Sequence, residues 1–365
     1  GVKRKQRGFT EVDQERVALE AKRRSQSSRC KKGLGYVPET AASSTSCAAG
    51  GGGADTGGGG GGQLPSDIDD VKRHYDFHGR KKQTTKERRK GLTFPLKQFH
   101  NKVKREMIMR FCSQRQTGNR NLKLLDLACG RGGDLNKWGS ARISRVRGID
   151  LSPAEISEAK RRYEGLRNKF RQLDVSFEQS DDVGRNKLQG LSGQYDAVTC
   201  MFAAHYFFRT EEMARSFLLN VTSALKDGGY FFGTVPDGKA VMMKIGAERT
   251  YENSVLTLQR QWERGTKAFG SPFIFKIKDT VTDGGEGSRE YLVFSSVFTK
   301  LAATFGLKPV TDYRDRNLEN LFDPRDRSLF LKHFNPRYEN RDLEVVSHLN
   351  SAFCFRFDRH SANRS

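Results

Sequence analysis

Three carboxylates, Asp126, Asp134 and Asp150, stand around a glycine-rich run, Ala128-Cys-Gly130-Arg-Gly132-Gly133. Glycines at this spacing let a backbone approach a ligand closely. Apolar Leu122, Leu124, Leu125 and Leu127 read as a buried strand before the run, and a helix is predicted after it over residues 134–141. Strand, turn and helix together make a nucleotide cradle. Further on, a second apolar strand (146–149) closes on Asp150, where a carboxylate would meet ribose 2′ and 3′ hydroxyls. A dinucleotide would require G-x-G-x-x-G with its pyrophosphate on the helix N-terminus. Here the third glycine is missing, and Asp126 and Asp134 would repel phosphate. They suit S-adenosylmethionine, which carries an ammonium, a sulfonium and a ribose but no phosphate. The bland alternative is a β-α-β turn that binds nothing.

The elements that must position this cradle alternate as a doubly wound α/β sheet requires. A helix is predicted over 153–170, with Ile156, Ala159, Tyr163, Leu166 and Phe170 on one face. Third, fourth and fifth strands are predicted over 170–180, 195–202 and 230–235. Between the last two, Met213, Phe217, Val221 and Leu225 mark a helix that Gly228-Gly229 would stop. Residues 255–262 and 272–278 read as an inserted β-hairpin, 296–305 as a helix and 352–357 as a final strand. The expected fold is a mostly parallel, Rossmann-like sheet of seven strands.

Residues 1–65 hold glycine runs, a Ser/Thr/Ala patch and scattered charge, the composition of a disordered tail rather than a core. The globular unit is therefore expected over 66–365. Lys and Arg number 65 against 43 Asp and Glu, a net charge of +22. The tail's 11 basic and 6 acidic groups leave +17 for the rest, concentrated in 71–110, where 14 basic residues meet three acids. Such a stretch suits a polyanion, RNA first, against a plain solvated surface. Lys3-Arg-Lys5 and Lys22-Arg-Arg24 could equally serve nuclear import. The six cysteines show no C-x-x-C pairing, so reduced thiols and no metal are expected. No segment has the length and apolarity of a membrane span or a signal peptide.

Several blocks, in order, give the chain a specific likeness. They are Val71-Lys-Arg-His-Tyr75, Leu96-Lys-Gln-Phe-His-Asn-Lys-Val-Lys104, LLDLACGRGGDLNKW, Asp150, Arg161-Arg-Tyr-Glu164, Phe202-Ala-Ala-His-Tyr-Phe207, Gly228-Gly-Tyr-Phe-Phe-Gly-Thr-Val-Pro236 and Glu290-Tyr-Leu-Val-Phe294. Through them the chain resembles the eukaryotic mRNA cap guanine-N7 methyltransferases, a class of S-adenosylmethionine-dependent enzymes. The resemblance implies a cofactor site of Lys104, Asp126, Ala128, Gly130, Gly132, Asp150, Asp181, Met201 and Tyr206. It places Arg131, Lys137 and Arg162 near a cap triphosphate, and His100, Asn101, His205, Pro236 and Glu290 around the cap. It also implies capped mRNA as partner, with other capping enzymes or the RNA polymerase II machinery nearby, a monomeric state and a nuclear location.

Four positions depart from the family pattern. Ala128 stands where a glycine is usual, Met201 where a glutamine is common, His100 for the first of two asparagines, and Ala352 for a tyrosine beside the guanine. Phe353 is the expected aromatic replacement. Guanine N7 carries no proton, so positioning by His205, Tyr206 and Glu290 is expected rather than acid–base catalysis. Methylation of amino groups is disfavoured, because Phe202-Ala-Ala-His-Tyr stands where an Asn/Asp-Pro-Pro-aromatic turn would be needed. A small-molecule methyltransferase leaves the basic 71–110 stretch unexplained. A non-catalytic RNA-binding scaffold would draw its support from Met201 and Ala352.

Overall fold

The computed structural model describes residues 90–362 except residue 264 and residues 284–286. The expected tail, the basic stretch 71–89 with its Val71–Tyr75 block, Cys30 and Cys47 lie outside the described residues. The first described element, α1 (Phe94–Phe111), starts on Pro95 in its first turn and buries Leu96, Val103, Met107, Ile108 and Phe111. Lys97, His100, Asn101 and Lys104 recur at helical spacing on another face.

Five parallel strands follow with their crossover helices. They are β1 (Lys123–Leu127), β2 (Arg145–Asp150), β3 (Asp174–Gln179), β4 (Tyr195–Met201) and β5 (Leu225–Pro236). The helices are α2 (Leu135–Ser140), α3 (Pro153–Glu164) and α4 (Glu211–Ala224). After β5 and α5 (Gly238–Ile245), β6 (Thr250–Glu252), β7 (Leu256–Arg260), β8 (Pro272–Ile277) and β9 (Ser288–Tyr291) form a separate antiparallel sheet. Helix α6 (Ser295–Ala303) leads back to the main sheet through β10 (Leu307–Pro309) and β11 (Lys332–His333), and α7 (Arg341–His348) precedes β12 (Asn350–Phe357). The main sheet runs β10-β12-β5-β4-β1-β2-β3, with β11 paired to β12 and β12 antiparallel to β5. Strand order reverses between β1 and β4, so a crevice opens at their carboxyl ends, where open α/β sheets bind ligands.

Alternation along the strands splits the core between the two faces of the sheet. Leu125, Leu127, Phe231, Phe353 and Phe355 join one cluster; Leu124, Phe232, Ala352 and Cys354 join the other, against α1. A third cluster unites the inserted sheet with Leu96, Val241, Leu343 and Val346. Cys112, Cys129, Cys200 and Cys354 are buried free thiols. No described helix is long and apolar enough to cross a membrane.

Four expectations are corrected. Helix α3 ends at Glu164, capped by Gly165, and Phe170 instead covers Gly139, where an added Cβ would lie 2.4 Å from its ring. Strand β3 accordingly starts only at Asp174. The Gly228-Gly229 pair does not stop α4, which passes straight into β5 at Leu225. The pair bends β5 where its register on β4 shifts, with Gly228 at φ +73°. The insertion is a four-stranded sheet rather than a hairpin, because β6 and β9 are too short to announce themselves by alternation.

Candidate active site

The turn after β1 is left-handed at three places: Ala128 (φ 59°), Gly130 (φ 52°) and Gly132 (φ 67°). Ala128 has not opened the turn but adopts the conformation glycine would, at a cost of roughly 1 kcal/mol. The turn is held from β2. The Gly130 N–H donates to Asp150 Oδ2 at 2.8 Å and the Ser152 N–H to Oδ1 at 3.0 Å. Burial pushes Asp150 up to about 6, against the pull of those two hydrogen bonds. Gly132 serves packing, since a Cβ there would meet Leu135 at 3.0 Å and Ala159 at 3.3 Å.

Above the turn lies a cleft of about 690 Å³ whose walls include Ala128, Asp150, Asp181 and Tyr206. Asp181 is half exposed and 3.7 Å from the Arg185 guanidinium. Val183, Phe207, Met213 and Tyr291 also line it; the sequence reading had not singled them out. They give one acidic end and one apolar wall, which fits a ribose and a purine face.

Lys104, Asp126, Gly130, Gly132 and Met201 do not line this cleft. Asp126 accepts from the Thr199 hydroxyl, tying β1 to β4, and burial, reinforced by Asp134, lifts it to about 8. It is therefore an interstrand link rather than an exposed anion. Met201 packs into the apolar cluster shared with α1. Lys104 sits beside Asp134, Nζ to Oδ1 at 2.9 Å, and Lys137 reaches the same oxygen at 2.7 Å. Burial opposes ionisation of Asp134, but the two lysines outweigh it and hold it at about 2. One carboxylate between two ammonium groups leaves a net positive wall.

A second cleft, about 850 Å³, carries Lys104 on its rim together with His100, Asn101, His205, Pro236 and Glu290, the residues expected around a cap. His205 and Glu290 are buried, with Nε2 3.5 Å from Oε2. Among the described residues, neither His205 nitrogen, nor that carboxyl oxygen, has a hydrogen-bond partner. Burial drives His205 down to about 3 and Glu290 well above the carboxylate range. Burial thus disfavours charge on both, and an imidazole and a carboxyl face the same cleft. Phe202 also lines the cleft, as do Phe275, Thr282 and Asn350, none of them expected there; the one signal for Phe202 is an aromatic directly after β4. It takes φ 57°, its N–H donates to both oxygens of Thr234 at 3.0 Å, and its ring stacks on His100 at 5.1 Å. His100 Nε2 lies 3.1 Å from Ser347 Oγ.

Three expected phosphate contacts are placed differently. Arg131 folds onto Glu155 through Nε at 3.1 Å and Nη2 at 2.5 Å, outside both clefts. Arg162, paired to Glu158 at 2.7 Å, lines a separate depression with Gly132, Gly133 and Arg161. Lys137 stands behind the wall, bonded to Asp134, Asn101 Oδ1 (2.8 Å) and Gly133 O (3.1 Å). In each case a nearer acid or carbonyl on the same or an adjacent helix takes the cation. The expected replacement by Phe353 is also corrected. Phe353 is fully buried in the cluster on the opposite sheet face, and the aromatic wall of the cleft comes from Phe202 and His100.

The glycine-turn cleft at the sheet's reversal point, with the buried His205 and Glu290 beside it, agrees with the family comparison. The model of the mRNA (guanine-N(7))-methyltransferase domain matches residues 65–344. The chain belongs to this family. An mRNA cap guanine-N(7) methyltransferase of Saccharomyces cerevisiae is 30% identical over 287 residues, 72% of this chain and 64% of the relative. One of Candida glabrata is 30% identical over 309 residues, 78% of this chain and 72% of the relative. The chain thus spans just under two thirds of the first relative's length. A solved S-adenosylmethionine-dependent methyltransferase of Clostridium acetobutylicum is 14% identical, covers 80% of this chain and all of its own, and has a TM-score of 0.43. Among the described residues, no group of three or more His, Cys, Asp and Glu could hold a metal ion.

Proposed function

We propose that this chain converts GpppN-capped RNA to its N7-methylguanine form with S-adenosylmethionine as methyl donor. The observation that carries the reading is the buried, unpartnered His205–Glu290 pair in the cleft beside the glycine turn. Guanine presents N1–H and an exocyclic amine together; a carboxylate accepts from both, which rejects adenine. His205 is neutral and supplies a donor or acceptor beside Glu290.

S-adenosylmethionine supplies an electrophilic methyl on a sulfonium. In the first cleft Asp150 has lone pairs for ribose hydroxyls, and Asp181 can accept from the adenine amine. Lys104, on the rim of the second cleft, offers a cation for the methionine carboxylate, and Tyr206 lines the first. N7 keeps an exposed lone pair, so the N7–carbon bond forms as the carbon–sulfur bond breaks and no proton moves. The chain's work is then to hold the acceptor in line, an effect of position and entropy. Nuclear action beside other capping activities belongs to the same proposal and is supported by the basic clusters of the sequence.

The test is methyl transfer from labelled donor to GpppG-capped, ApppG-capped and uncapped transcripts. Labelling of the first alone is expected; equal labelling of the ApppG transcript would sink the role given to Glu290.

A further inference from the structure

We propose that Ser288 is a positioning residue: through Tyr206 it holds β9, and with it Glu290, in register with the cofactor cleft. The inference deepens the function proposed above and rests on it. Side chains two apart on a strand share a face, so Ser288 and Glu290 point together toward the turn that carries His205 and Tyr206. The two pairs match. Tyr206 Oη and Ser288 Oγ share a hydrogen bond of 2.7 Å, while His205 Nε2 and Glu290 Oε2 lie 3.5 Å apart with no bond to hold them. The rings of His205 and Tyr206 are 4.2 Å apart, yet Tyr206 lines the first cleft and His205 the second.

Strand β9 needs such an anchor. It is four residues long and, among the described residues, sits at the edge of the inserted sheet and pairs only with β8, where Ser288 opposes Phe275. A hydroxyl buried there is costly unless bonded, and Ser288 is 4% exposed. An alanine there could not reach Tyr206 with a hydrogen bond. What moves Tyr206 on one side therefore moves Glu290 on the other, and occupancy of the donor cleft is felt in guanine affinity.

The experiment uses the whole chain, with the dinucleotide GpppG and S-adenosylhomocysteine as probes in calorimetry. Ser288→Ala should weaken GpppG by about five-fold, the equivalent of one neutral hydrogen bond. It should also remove most of the tightening that saturating S-adenosylhomocysteine gives the wild type. Ser288→Thr should restore both, and Ser288→Ala added to Tyr206→Phe should cost nothing beyond the worse single variant. Unchanged GpppG affinity in Ser288→Ala, no tightening in the wild type, additive losses, or a threonine variant as weak as the alanine would each overturn the proposal. A wild type that binds no GpppG and leaves GpppG-RNA unmethylated overturns the function and this proposal together. A wild type that does both, matched by Ser288→Ala, overturns this proposal alone.

Discussion

His205 and Glu290 meet at 3.5 Å inside the protein, with neither imidazole nitrogen nor the facing carboxyl oxygen hydrogen-bonded. Each buried polar group left this way destabilises the fold by about 1–3 kcal/mol. Glu290→Leu should therefore raise the melting temperature, by about 2–4 °C per kcal/mol recovered in a domain of this size, while abolishing GpppG binding. Scanning calorimetry showing a lower melting temperature would mean the pair supports the fold rather than a ligand.

The same pair sets a pH dependence. Burial raises Glu290 well above the carboxylate range, favouring its protonated form in the free pocket. Two guanine N–H groups are satisfied only by the ionised form, so binding must release a proton at any pH below that raised value. GpppG affinity should climb with pH until Glu290 ionises unaided, then level off, and Glu290→Gln should show no slope. Calorimetry in buffers of different ionisation enthalpy counts the proton; none released would exclude this scheme.

Ala128 holds φ 59° where glycine pays no steric cost. Ala128→Gly should stabilise the protein by up to about 1 kcal/mol, read as a shifted urea midpoint at unchanged slope. A loss of stability would mean the methyl's packing outweighs the backbone strain.

His333 bridges two carboxylates, Nε2 to Asp237 at 3.0 Å and Nδ1 to Asp326 at 2.8 Å. Burial pulls its pKa down, but the hydrogen bonds of Asp237 and Asp326 outweigh it and lift it to about 9. The group is raised above its unfolded value near 6.5. Its contribution, of order 2 kcal/mol, is thus complete below that value and lost as pH rises through about 9. His333→Gln should flatten the alkaline fall of stability measured by urea unfolding; an unchanged alkaline slope would discount the bridge.

His100 backs the Phe202 ring at 5.1 Å, and burial holds it neutral, down to about 3. His100→Ala should weaken GpppG by roughly five-fold, since a stacked pair contributes on the order of 1 kcal/mol beyond area. His100→Phe should recover most of that affinity. A fall in kcat with KM unchanged would assign His100 another role.

The amino-acid order alone determined β1, β2, β4, the glycine turn and the carboxylate closing β2, because these rest on local periodicity and backbone freedom. Val183, Phe207 and Met213 stayed invisible as cleft lining because apolar residues look alike until a fold assigns them a face. The charged groups escaped for a different reason. Lys137 and Arg162 are taken by Asp134 and Glu158 one helical turn away, whereas only packing brings Glu155 within 2.5 Å of Arg131. Likewise Ser288 reaches Tyr206 from 82 residues away, and Phe202 shares its cleft with His100 from a different element. Contacts of that separation are set by how the sheet reverses between β1 and β4 and where the inserted sheet lands. Spacing along the chain carries no information about either.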